Sequence, residues 1–121
     1  MPAGIYNITI EQGSDYILIL TLMQDEVTPM DLTGFSGRGQ VRKTHKDNVV
    51  AASFTATIIG DPVDGVIRYS IPSADTALIE TGETTNCKDS QYVYDIELVS
   101  GSGIVTRLLQ GRASVSPEVT R

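Results

Sequence analysis

The sequence predicts an all-β fold, a single antiparallel β-sandwich of about seven strands with one short helix. Short runs rich in Ile, Val, Thr and Tyr recur along the chain, and these residue types fit a pleated, half-buried surface. Turn-forming clusters separate the runs: EQGSD, DEVTPMDLTG, KTHKDN, GDPVDG and SGSG. No stretch sustains the apolar periodicity of a long helix. Evenly punctuated strands without helices between them point to two packed sheets.

In chain order the strand candidates are residues 4–10, 16–24, 36–43, 49–59, 65–71, 91–99 and 104–115. The second contains the longest apolar run, Tyr16 to Leu20, which is far too short to span a membrane. In the third, GRGQVRK, the residues Arg38, Gln40 and Arg42 alternate and so share one strand face. The fourth and fifth flank the turn GDPVDG. Between the fifth and sixth, SADTALIE at residues 73–80 reads as one short helix capped by Ser73, with Ala74, Ala77 and Leu78 on its apolar side. The whole of 1–121 reads as one domain, with an extended tail after about residue 115.

Composition narrows the function classes. In a chain of 121 residues a net charge of -6 argues against generic affinity for phosphate backbones or anionic lipid, so neither nucleic acid nor membrane is an expected partner. The single cysteine, Cys87, excludes an internal disulfide and a cysteine zinc cage, which fits assembly in a reducing cytoplasm. The first residues, MPAGIYNITIEQGSD, lack the basic start and apolar run of a secretory signal, so Asn7-Ile8-Thr9 is not expected to serve as a glycosylation site.

The candidate chemical sites all have a plainer reading. His45 sits among lysines in KTHKDN with no second histidine to build a metal cage or a nucleophile and base. Asp61 and Asp64 in GDPVDG lack the spacing and terminal glutamate of a calcium loop and read as a turn. Cys87, beside Lys88, has no base to activate it. Gly37 and Gly39 lack the third glycine of a dinucleotide fingerprint, because Arg42 occupies that place. No catalytic residue, metal ligand or cofactor is therefore expected. Arg38 and Arg42, with Lys43 and Lys46, form the one basic cluster, a face for a partner or for solvent rather than for bases, since no aromatic residues interleave.

The stretch QYVYDIELVSGSGIVTRLLQG reads as a hairpin. Tyr92, Tyr94, Ile96 and Leu98 alternate with Val93, Asp95, Glu97 and Val99, so one face enters the core. The loop around Gly101 to Gly103 permits either parity of the return strand, depending on a glycine bulge. The register with better electrostatics sets Leu98 against Ile104 and Asp95 against Arg107, with Glu97 opposite Val105. It also makes Val93 and Leu109 a facing pair on the outer side with Val105 beyond, an apolar stripe suited to contact with another subunit.

The chain resembles small bacteriophage virion proteins and the Ig-like amino-terminal domain of upper baseplate proteins. The likeness runs through GIYNITIEQGSDY, DLTGF, GQVRK and, most specifically, YVYDIELVSGSGIVTRLLQGRASVSPEVTR. The middle, from His45 to Pro62, and TTNCKDS lie outside it. The resemblance implies an Ig-like sandwich and a non-enzymatic structural subunit of the virion, in the tail, neck or baseplate, joining neighbouring subunits in symmetric copies. Capsid decoration is the alternative within that class. A host-receptor or carbohydrate-binding module is the alternative outside it, and the absence of tryptophan counts against sugar platforms.

Overall fold

A computed structural model describes residues 4–44, 50–79 and 90–116. The chain forms β1 (Gly4–Ile5), β2 (Ile8–Glu11), β3 (Tyr16–Thr21), β4 (Ser36–Arg42), β5 (Val50–Ile58), β6 (Val66–Ile71), a short helix α1 (Ser73–Thr76), β7 (Ser90–Val99) and β8 (Val105–Ser116). Each predicted strand is present, and the first divides in two at Tyr6 and Asn7.

The all-β expectation holds, but the strands build one curled, mixed sheet of half-barrel form instead of two antiparallel layers. Its order is β1-β8-β7-β4-β5-β6-β3, with β2 also on β8. β1 and β2 run parallel to β8, pairing Gly4 with Leu109 and Ile8 with Ala113, while the other pairings are antiparallel. The division at Tyr6 and Asn7 leaves that register intact: the Tyr6 N–H donates to the Gln110 carbonyl, and the Asn7 side chain accepts from the Arg112 N–H in place of a ladder carbonyl. Alternation along each run identifies strands but not partners, and this pairing joins opposite ends of the sequence.

Curling lets side chains reach across strands that are not neighbours. Tyr69 on β6 passes over β5 and β4 so that its hydroxyl donates to the Glu97 carbonyl on β7, 2.9 Å away. Phe54 on β5 meets Tyr16 on β3 and Tyr94 on β7, with ring centroids 6.1 and 6.2 Å apart. Tyr94 in turn donates to the Tyr6 carbonyl. Ile10, Val41, Ile67, Ile71, Ile96 and Val115 fill the rest of the interior.

The glycines of GRGQVRK are explained by that crossing. On β4, a Cβ at Gly37 would lie 2.7 Å from the Tyr69 hydroxyl and from the Ala56 Cβ, and one at Gly39 would lie 2.8 Å from the Asp95 carbonyl oxygen and 2.9 Å from the Phe54 ring. Only hydrogen fits between these rings and the neighbouring strands.

The helix differs from its expectation in which side it buries. Ala74, Ala77 and Leu78 are exposed, whereas Thr76 and Ile79 are buried. Thr76 docks the turn onto the β2–β3 connection: its hydroxyl donates to the Ser14 carbonyl at 2.7 Å and accepts the Gly13 N–H at 3.1 Å. Ser73 does not cap with its side chain; Pro72 holds the cap position, and the Ser73 N–H donates to the Asp15 carboxylate at 2.6 Å. A single helical turn is placed by such bonds rather than by amphipathic periodicity.

Candidate interaction face

Strand alternation sorts the polar residues of β4, β7 and β8 onto one outer face. On β4, Gly39 and Val41 turn inward and Arg38, Gln40 and Arg42 outward; on β7, Tyr92, Tyr94, Ile96 and Leu98 are buried and Val93, Asp95 and Glu97 face out, as their alternation predicts. Pairing of β4 with β7 sets Arg38 opposite Glu97, Gln40 opposite Asp95 and Arg42 opposite Val93. Arg38 Nε lies 2.7 Å from Glu97 Oε1.

The hairpin register differs from the expected one. Val99 pairs with Val105, Leu98 with Thr106 and Glu97 with Arg107, two residues along from the predicted alignment. A bulge then leaves Leu108 without an opposite residue, and beyond it Ile96 faces Leu109 and Val93 faces Arg112. The extra residue reverses the parity of the second half of β8. Leu109 therefore shares the inner face with Ile96, Gly111 and Ala113 and packs half-buried against the core. Val93 stays half-buried outside, Val105 is 44% exposed near the hairpin tip, and the two are separated by Asp95 and Glu97. The predicted apolar stripe does not form. The expected ion pair nevertheless does, diagonally, with Arg107 Nε 3.6 Å from Asp95 Oδ2. The doublet Leu108-Leu109 breaks period two and was the one signal of the bulge available in the sequence.

The bulge brings Arg112 onto the face, a residue that the sequence reading did not single out. Together with Arg38, Arg42, Lys43 and Arg107 it borders an open hollow of about 570 Å³ and its smaller neighbour. Among the described residues, Arg68 is the only other Lys or Arg. The described carboxylates divide in the opposite sense: Asp95 and Glu97 lie on the face and Glu11 beside it on β2, while Asp15, Asp25, Asp31, Asp61, Asp64 and others of them lie elsewhere. The arginines are held in a lattice, with Arg42 donating to the Gln40 side chain at 2.7 Å and Arg107 to that of Gln110 at 3.2 Å. Exposed pairs of this kind add little stability, about 0–1 kcal/mol each, but they fix where the charges stand. Cations set in register on a rigid sheet suit recognition of an extended anionic surface.

Elsewhere the turn reading of GDPVDG holds. Asp61 Oδ1 accepts the Val63 N–H, and Gly65, at φ 72°, closes a single 3-10 turn. Among the described residues no group of His, Cys, Asp and Glu could hold a metal ion. His45, Lys46 and Cys87 lie outside the described residues. Burial holds the Tyr69 and Tyr94 phenols well above their ordinary pKa, and pushes Tyr16 up to about 12, so these groups stay protonated near neutrality. Compared with known proteins, the chain matches no protein family and no curated protein.

Proposed function

We propose that this chain is a non-enzymatic structural subunit of a bacteriophage virion, in the tail, neck or baseplate. It joins neighbouring subunits by seating an anionic stretch of one of them on the outer face of β4, β7 and β8. The observation that carries the docking role is charge segregation. A chain of net charge -6 gathers Arg38, Arg42, Lys43, Arg107 and Arg112 on one sheet face. That arrangement steers a complementary surface into one orientation and rejects a like-charged one. The virion setting rests on the resemblance in GIYNITIEQGSDY, GQVRK and the carboxy-terminal string. The Ig-like relationship belongs to the same proposal, with the curled sheet as a variant in which the first strands join the last.

Such a contact is weak for one copy and gains strength when a symmetric particle repeats it. Quantitative mass spectrometry of density-purified particles tests the reading. The chain is expected at a fixed ratio to the other virion proteins, and the double variant Arg38→Glu, Arg112→Glu is expected to fold but to be lost from particles. A chain absent from purified particles, or a double variant incorporated at the normal ratio, would refute it.

A further inference from the structure

At the side of the sheet away from β8, β3 forms an edge that no other described strand pairs. Its residues, Tyr16-Ile17-Leu18-Ile19-Leu20-Thr21, include no charge and no proline, and its pairing with β6 runs without a bulge. Those are the devices that ordinarily blunt a sheet edge. Both faces of the strand are apolar. Ile17 and Ile19 point outward and are 55% and 59% exposed, while Tyr16, Leu18 and Leu20 turn inward but stay only half-buried against the core. Exposed Met23 follows the strand, and exposed Ile59 and Val63 stand at the adjoining end of β5 and β6.

Among the described residues the backbone is equally open. The Leu22 N–H donates to the Gly65 carbonyl, and the Ile59 N–H to the Val66 carbonyl. The alternation of an antiparallel ladder then turns the N–H and C=O groups of Tyr16, Leu18 and Leu20 toward β6, and those of Ile17, Ile19 and Thr21 toward the open edge.

We propose that this edge pairs with the same edge of a second copy of the chain, antiparallel about a two-fold axis at Leu18. The strand is complementary to its own reverse. Turned about Leu18, it sets Ile17 opposite Ile19 and Tyr16 opposite Leu20, so that apolar side chains meet on both faces. Ile17 and Ile19 are also the residues whose backbone groups point outward, so the same alignment completes the ladder. No charge in the strand opposes it, and the two-fold arrangement closes without leading to fibres. A six-residue contact is small beside the ~800 Å² per partner of a stable complex. The dimer is therefore weak, and the -6 charge of each copy weakens it further until salt screens the repulsion. This contact lies at the β3 edge, with β5 and β6 between it and the basic residues of β4, and does not depend on them.

Sedimentation of the full chain from micromolar to millimolar concentration, at low and high salt, tests the proposal. A monomer–dimer equilibrium is expected that tightens as salt rises, the opposite of contacts made by the basic face. Ile19→Lys and Ile17→Lys, both at exposed positions, are each expected to weaken it ~tenfold or more without lowering Tm, whereas Arg38→Glu leaves it unchanged at high salt, where the added charge is screened. Hydrogen exchange adds a readout at the edge: the Ile17 and Ile19 amides are expected to slow as the dimer forms. A chain that remains monomeric at millimolar concentration, or a dimer that survives both lysine variants, would overturn the pairing.

Discussion

Gly37→Ala is the sharpest probe of the crossing that shapes the sheet. The new methyl group would sit 2.7 Å from the Ala56 Cβ and 2.7 Å from the Tyr69 hydroxyl, both well inside van der Waals contact. Ala56 is fixed to its own strand, so β4 must shift to relieve that contact, and Tyr69 must move as well, which stretches the 2.9 Å bond to the Glu97 carbonyl. Overpacking of this kind costs about 1–3 kcal/mol. Loss of the hydrogen bond adds about 1 kcal/mol. The expected total is about 2–4 kcal/mol, and at about 2 cal/mol/K per residue this lowers Tm by roughly 8–16 °C for a chain of this length. Thermal unfolding followed by far-ultraviolet circular dichroism reads it directly. Gly37→Ala placed in a Tyr69→Phe background is expected to cost less, because the hydroxyl has gone and no hydrogen bond is left to lose, while the contacts with the Ala56 Cβ at 2.7 Å and the ring edge at 2.9 Å remain. A Gly37→Ala variant melting within ~2 °C of the parent would show that Tyr69 does not lie across β4.

Leu109→Asp is expected to destabilise the domain by about 1–3 kcal/mol in urea unfolding, because it places a carboxylate against the core, while Val105→Asp on the outer face stays within about 0.5 kcal/mol. Equal effects would refute the bulge at Leu108. Alkaline titration followed at the tyrosinate absorbance is expected to show loss of fold as pH rises above about 10. The sign follows from the raised folded pKa of Tyr16, Tyr69 and Tyr94: the unfolded chain gives up these protons first, so stability is full below the unfolded value and falls as pH climbs toward the folded ones. Smooth ionisation of these phenols with the fold intact near pH 10 would contradict their burial. Binding of duplex DNA at physiological salt is expected to be weaker than micromolar, since a few arginines neutralise few phosphates. Tighter binding, abolished by Arg38→Glu with Arg42→Glu, would contradict the assignment of the face to a protein partner.

Strand existence was legible in the sequence because period-two alternation and turn clusters are local signals. The outward placement of Arg38, Gln40 and Arg42 followed directly, as did the inward set Tyr92, Tyr94, Ile96 and Leu98. Pairing was not legible. Nothing near Gly4 or Ile8 marks Leu109 and Ala113 as parallel neighbours, so a closed pair of antiparallel sheets and an open curl looked alike. The hairpin register differs twice from expectation, by a slip of two residues that keeps the parity and by one bulge that reverses it. A single bulge at Leu108 turns Leu109 inward and Arg112 outward, exchanging a predicted apolar stripe for a basic face. Gly37 and Gly39 carried the trace of the crossing rings, but a glycine in a strand says only that something approaches closely, not what.

A chain-tracing image of the assembled particle tests the docking role most directly. The expected result is a neighbouring subunit whose carboxylates lie against Arg38, Arg42 and Arg112 on the outer face of β4, β7 and β8, repeated by the symmetry of the particle. A particle in which that face is bare to solvent in every copy, while the chain is held by other surfaces alone, would contradict the account.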